Sequence, residues 1–294
     1  MKKTIALLMI VAVLLICITG CSRDNRPALY VYNWSDYMDQ DIISAFEEQH
    51  NVRVVLDYFD SNESMYAKLS AGASGYDVIF PTSYMVDIMK SQGMLAPIQK
   101  SLIPNLKNLD ERYFAFASQP VLSFSVPYMV STTGIGYLAS QVDEDFEPSW
   151  GVFGDEQYRG RMTMLNDMRE TIGAALKYLG YSMNTVKAQE LAAAQQLLIE
   201  WKANLAKFEA EQYKNGLVSG EFRIAHGYNG DIYQVMEENE DIVFGIPKEG
   251  TTLSVDEMVI PISSKSKELA HAFINFLLDA ENAAANTNYV YFLS

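Results

Sequence analysis

From residue 28 to residue 91 the hydrophobic pattern of the chain switches repeatedly between the period of a strand and the period of a helix. Residues 28–32 read as a strand, and 38–49 as a helix with an apolar stripe at Ile42, Ile43 and Phe46. A second strand follows at 52–58, a short helix at 64–71, a third strand at 76–80 and a helix through about residue 91. A parallel neighbour in a sheet is reached only by crossing over one face, and a helix covers that face. The alternation therefore predicts a parallel α/β architecture with right-handed crossovers.

Past this segment, 123–128 and 134–137 read as extended, and 222–226, 242–244 and 259–262 as strands. Helices are expected at 171–179, at 267–278, and as one long Ala-rich run over 185–208. A chain of 294 residues exceeds what one hydrophobic core comfortably holds, yet no repeat, low-complexity tract or long linker divides it. Two domains without a linker imply several chain crossings, with a cleft between them where small-molecule sites prefer to sit.

Ahead of the fold stands a targeting signal. Lys2 and Lys3 precede an apolar run, which ends in Ile18-Thr19-Gly20-Cys21. This reads as a lipoprotein signal peptide over 1–20, leaving Cys21 as an acylated first residue outside the cytoplasmic membrane. Cys17 and Cys21 are the only cysteines, so the mature chain has no disulfide. The formal charge of −15 argues against nucleic acid and anionic surfaces as partners and suits a cationic ligand.

No strong catalytic motif stands out, and the reading is of a non-enzyme without cofactor. The segment Gly72-Ala73-Ser74-Gly75 lacks the spacing of a nucleophile elbow, and Gly134-Ile135-Gly136 lacks the third glycine of a dinucleotide fingerprint. His50, His226 and His271 are far apart and out of metal-ligand spacing, and His226 reads as a core or strand residue.

The remaining candidates fall at expected strand ends or helix starts. Trp34-Ser35-Asp36-Tyr37 offers two rings and a carboxylate, or else a helix cap at Ser35 or Asp36. Pro81-Thr82-Ser83-Tyr84 follows a parallel strand, where open α/β sheets bind ligands, although Thr82 or Ser83 also suits a cap. In Asp167-Met168-Arg169-Glu170 the carboxylates share one side of a helical turn, and a capping box with Glu170 folding back explains them equally. Tyr228-Asn229-Gly230-Asp231 can be packing plus a cap at Asp231. Asp256 and Glu257 stand at a strand entrance, where acids are usually solvated.

One resemblance links these groups. The segments Tyr32-Asn33-Trp34-Ser35-Asp36-Tyr37, Tyr76 to Tyr84, Asp167 to Glu170, Gly180-Tyr181-Ser182-Met183-Asn184, Tyr228-Asn229-Gly230, Pro247-Lys248-Glu249-Gly250 and Ile274-Asn275-Phe276-Leu277 stand in order along nearly the whole mature chain. In that ordered set the chain resembles the spermidine/putrescine (polyamine) binding proteins of bacterial ABC importers. The resemblance implies a two-lobed type II periplasmic-binding-protein fold with a ligand cleft between lobes. Lobe one would hold 27–128 plus 257–294, and lobe two 129–256. It implies a monomer that delivers a polyamine to ABC permease subunits.

By the same resemblance, Trp34 and Tyr37 match aromatics packed on the methylene chain, and Ser35 and Asp36 a pair reading one terminal amine. Thr82, Tyr84, Asp167 and Glu170 match further ligand contacts. Tyr228 stands where a Trp is usual, Asp231 resembles a carboxylate of the putrescine-preferring branch, and Asp256 matches an acid facing an internal or distal amine. Tyr291 or Phe292 matches a late ligand aromatic, with Phe292 the expected contact. Val130-Ser131 and Ser254 depart from the pattern, where aromatics are common, and imply a thinner wall. The family pattern continues beyond Ser294, so a shortened carboxyl end is expected. A surface lipoprotein with a signalling or adhesive role on the same scaffold, or a receptor for another small cation, is the alternative.

Overall fold

The computed structural model describes residues 24–294; the expected signal peptide and Cys21 lie outside them. Strand β1 (Ala28–Trp34) pairs parallel with β2 (Arg53–Phe59), Val31 lying opposite Leu56. Helix α1 (Gln40–His50) carries the chain across between them. It starts where the Asp39 carboxylate accepts the Asp41 N–H, and it stops at Asn51 in the left-handed region. Its stripe of Ile42, Ile43 and Phe46 is buried. Helix α2 (Asn62–Ser70) leads to the short strand β3 (Val78–Ile79), which pairs parallel with the other side of β1, and α3 (Ser83–Ser91) follows. With β1 between β2 and β3, the strand order reverses at β1, and this opens a crevice at the strands' carboxyl ends.

Two strands from farther along complete this sheet, β4 (Ser125–Ser131) and β10 (Ser254–Val259), in the order β2-β1-β3-β10-β4. Strand β10 runs antiparallel to both its neighbours, so the sheet is mixed rather than wholly parallel. Both faces are covered. Leu29 and Val31 enter one core with Phe46, Phe80 and Phe273, whereas Tyr32 enters another with Phe59, Met65 and Val86. Helices α8 (Lys267–Leu277) and α9 (Ala280–Val290) belong to this half, α8 burying Phe273, Ile274 and Phe276.

The second sheet repeats the plan. Its strands are β5 (Thr133–Leu138), β6 (Met162–Leu165), β7 (Leu205–Glu209), β8 (Ile224–Tyr228) and β9 (Ile242–Gly245), ordered β7-β6-β8-β5-β9. Strand β6 is parallel to β7 and β8, and β5 is antiparallel to β8 and β9. Helices α4 (Met168–Tyr178), α5 (Ala188–Lys202), α6 (Tyr213–Val218) and α7 (Asn229–Met236) complete it. The result is a two-lobed α/β protein. The chain passes between sheets at Thr132 and again over 246–253, and the Thr132 hydroxyl donates to the Thr252 carbonyl, tying one crossing to the other.

Three expectations need correction. The run 185–208 is not one helix: α5 ends at Lys202, and residues 205–209 are strand β7. Asn204 turns the chain there; it is buried and donates to the Phe153 carbonyl, a tertiary contact that overrides the helical propensity of the run. The strand expected at 259–262 lies at Ser254–Val259 instead, and beyond it Pro261 forms only an isolated antiparallel bridge with Leu95. The strands of the first sheet also overrun the expected lobe limits at 128 and 257, β4 continuing to Ser131 and β10 starting at Ser254.

Candidate functional site

The parallel strands of both lobes aim their carboxyl ends at one cleft, which holds a cavity of about 80 Å³. The turn after β1 supplies Trp34, Ser35, Asp36 and Tyr37, and that after β3 supplies Thr82 and Tyr84. From lobe two come Asp167 and Glu170 after β6, and Tyr228 and Asp231 around the end of β8. Asp256 projects from β10 and Phe292 follows α9. All twelve residues singled out from the sequence line this one cavity.

Lobe one offers rings around a single buried acid. The Trp34 indole N–H donates to the Phe80 carbonyl at 2.8 Å, and its ring lies 4.4 Å from that of Phe59. The Tyr37 hydroxyl donates to Asp256 Oδ2 and the Thr82 hydroxyl to Asp256 Oδ1, each at 2.7 Å. Thr82 thus stands at the cap position of α3 without capping it, because its hydroxyl serves the acid. Asp256 lies inside a strand, not at a solvated entrance, and only 7% of it is exposed. Burial pushes its pKa up to about 6, outweighing the two hydrogen bonds that favour the carboxylate. Neither Ser35 nor Asp36 caps α1, a role taken by Asp39. Asp36 sits exposed in the left-handed region at φ +49°, a conformation Asp tolerates better than most residues.

Lobe two offers charge. Asp167 caps α4 by accepting the Glu170 N–H at 3.0 Å, and its other oxygen accepts from the Tyr228 hydroxyl at 3.2 Å. Glu170 does not fold back onto the cap. Its Oε2 accepts from the Thr133 and Thr252 hydroxyls, both at 2.8 Å, beside the two chain crossings. Burial and the neighbouring Asp167 charge push Glu170 up to about 7. Asp231 is not a cap either; it lies in the first turn of α7 and accepts from the Tyr213 hydroxyl at 2.5 Å. Burial raises its pKa despite a nearby lysine. Gly230 lets the lobes approach: a Cβ there would lie 2.4 Å from the Phe292 ring.

Several lining residues carry no expectation from the sequence. They come mainly from the ends of β2 and β7, namely Phe59, Asp60, Asn62, Glu211 and Lys214, together with Arg169. The topology rule that directed attention to the ends of β1 and β3 applies equally to β2 and β7. Ser131 and Ser254, flagged as departures, also line the cavity. His226 is fully buried in β8 beside the Trp150 ring, outside the cavity lining, and burial drives its pKa down to about 3, so the ring is neutral near pH 7. Among the described residues no group of three or more His, Cys, Asp or Glu is placed to hold a metal.

Seven carboxylates line the cavity (Asp36, Asp60, Asp167, Glu170, Glu211, Asp231 and Asp256) against two cationic side chains, Arg169 and Lys214. Six aromatic side chains, Trp34, Tyr37, Phe59, Tyr84, Tyr228 and Phe292, line the same cavity. Such a surface attracts a molecule whose positive points are separated by apolar links.

Two similar lobes with a charged, ring-lined cleft between them define a solute-binding protein. The chain belongs to the bacterial extracellular solute-binding proteins, whose family model matches residues 41–293. Relatives more than 30% identical to it bear the names of putrescine- or spermidine-binding proteins. It is 38% identical over 274 residues, covering 89% of this chain and 77% of the relative, to the putrescine/cadaverine-binding protein of Pseudomonas aeruginosa. It is 33% identical over 279 residues, covering 95% and 80%, to the spermidine/putrescine-binding periplasmic protein of Escherichia coli. The crystal structure of the TpPotD lipoprotein of Treponema pallidum superposes with a TM-score of 0.84 at 40% identity, covering 90% of this chain and 84% of that one.

Proposed function

We propose that this chain is an extracytoplasmic, lipid-anchored receptor that captures a linear polyamine and passes it to an ABC permease. One observation carries the reading: a cavity lined both by acids held by hydroxyl and backbone donors and by aromatic side chains. An alkyl polyamine is a row of ammonium groups joined by methylenes. Each ammonium gains about 1.5–3 kcal/mol from a charge-assisted hydrogen bond, and each ring face adds about 0.5–2 kcal/mol. Two or three such contacts, less the ordering cost, reach micromolar affinity, about −8 kcal/mol. The acids repel one another without a cation, so binding favours the closed lobes.

The role is capture rather than catalysis. The cleft acids are engaged by hydroxyl and amide donors, and the relatives are binding proteins. The anchor is Cys21, with the tethered domain outside the cytoplasmic membrane. Calorimetric titration of the soluble domain is expected to show binding of putrescine, spermidine or spermine. A folded sample giving no heat with any of the three refutes the ligand assignment. Cys21→Ser is expected to move the protein from the membrane fraction to the soluble exported fraction.

A further inference from the structure

The cleft already contains an ammonium group of its own. Lys214, on α6 of lobe two, places Nζ 3.1 Å from Asp36 Oδ2 of lobe one and 3.8 Å from Asp231 Oδ1. Its side chain is 14% exposed, although Asp36 beneath it is 68% exposed. The lysine therefore reaches in from its own helix and lies over the acid.

Five of the seven cavity acids fall into three stations distinguished by their partners, with Asp60 and Glu211 lying apart from them after β2 and β7. Asp36 and Asp231 share the lysine, Asp256 holds the Tyr37 and Thr82 hydroxyls, and Asp167 with Glu170 occupies the first turn of α4. Only at the first station does a protein cation lie within ion-pair distance of the carboxylates; the Arg169 charge acts on Glu170 from farther off. Arg169, the other cation of the cavity, lies 4.6 Å from the Tyr84 ring centre and donates to Asn184. Burial works against the Lys214 charge, but the Asp231 and Asp36 carboxylates outweigh it and raise its pKa, so the station is filled by a charged group at neutral pH.

We propose that Lys214 is a specificity-determining residue: its ammonium fills the Asp36–Asp231 station, leaving two anionic stations for ligand and setting the cleft for a diammonium compound over a triammonium one. The inference rests on the polyamine reading and deepens it. A third ligand ammonium can use Asp36 and Asp231 only by driving Lys214 out into solvent. The flexible four-carbon stem permits that swing, so the discrimination is finite rather than absolute. A diamine spanning the other two stations leaves the lysine in place.

The test is calorimetric titration of putrescine and spermidine into the wild-type domain, K214M, K214Q and the double variant D36N/K214M. Met keeps the apolar stem and Gln a polar end, so one substitution guards against misfolding in the other; melting curves verify both. Loss of the ammonium is expected to raise spermidine affinity relative to putrescine by about tenfold, the worth of one charge-assisted hydrogen bond. That gain is expected to shrink in D36N/K214M, because the ligand then lacks the acid the lysine vacated; Asn keeps the left-handed turn at position 36. A spermidine-to-putrescine ratio unchanged in both single variants overturns the proposal while leaving the polyamine reading intact. A gain that persists undiminished in the double variant also overturns it, pointing to a general field effect. A wild-type domain that binds neither amine overturns both readings.

Discussion

The two walls of the cleft are built from nearly the same topology and do different work. Each lobe sets three parallel strands with the same order reversal against the cavity, followed by an antiparallel strand. In lobe one the turns carry rings, and one buried acid, Asp256, is held from both sides by hydroxyls. In lobe two they carry acids on helix starts, with two cations among them. The difference teaches that strand order locates a site whereas the residues on each turn decide its chemistry. On the polyamine reading, the first wall would cover methylenes and the second would meet the charges.

The comparison is broken most severely at Asp256. Asp256→Ala removes the buried acid of the ring wall and strips two hydroxyls of their acceptor. Polyamine affinity is expected to fall about a hundredfold or more in calorimetric titration. An unchanged dissociation constant would place the ligand entirely on lobe two. Gly230→Ala tests how closely the walls must meet. A Cβ there overlaps the Phe292 ring, so a loss of about 1–3 kcal/mol in the urea unfolding free energy is expected, alongside weaker binding.

Charge on the second wall is tested by Glu170→Gln, expected to cost about tenfold in affinity and to flatten the pH dependence. In the wild type, Glu170 and Asp256 have pKa values raised to about 7 and about 6. The unliganded fold therefore holds more protons than the unfolded chain between the ordinary carboxylate range and pH 7. The stability these groups contribute is full below their unfolded pKa values and is lost as pH rises through 6 and 7. Cation binding follows the opposite trend: affinity falls as pH drops from 8 to 5, and binding near pH 6.5 releases protons. Calorimetry in buffers of different ionisation enthalpy reads that release directly. The smallest effect is expected for Tyr37→Phe, about threefold weaker binding, since Asp256 keeps Thr82 as a donor.

How far the sequence led depended on what marked each residue. Turns after strong strands were legible: Trp34 to Tyr37 follows an unmistakable alternating segment, and it lies in the cavity. Lys214 was not legible, because its position depends on β7, hidden inside an Ala-rich run that reads as helix throughout. Only the tertiary contacts of Asn204 reveal the break. Asp256 was found through resemblance, yet its surroundings were misread. The apolar stretch from Val259 drew the strand too late, and a buried acid inside a strand has no signature in one sequence. Its partners, Tyr37 and Thr82, are 219 and 174 residues away along the chain. Capping logic also misled at Thr82 and was incomplete at Asp167, whose carboxylate both caps α4 and reaches Tyr228.

The tie between the Trp34 indole N–H and the Phe80 carbonyl has a selective consequence. With its donor spent inside the protein, the indole shows the cleft a ring face that offers no hydrogen-bond donor. On the polyamine reading, that face would follow the length of a hydrocarbon link and attract a nearby ammonium without fixing it in one place. An added methylene changes its contact by about 0.8 kcal/mol, roughly fourfold in affinity. On the polyamine reading, neighbouring members of a homologous diamine series would differ little at this ring, and sharp discrimination would fall to the acids.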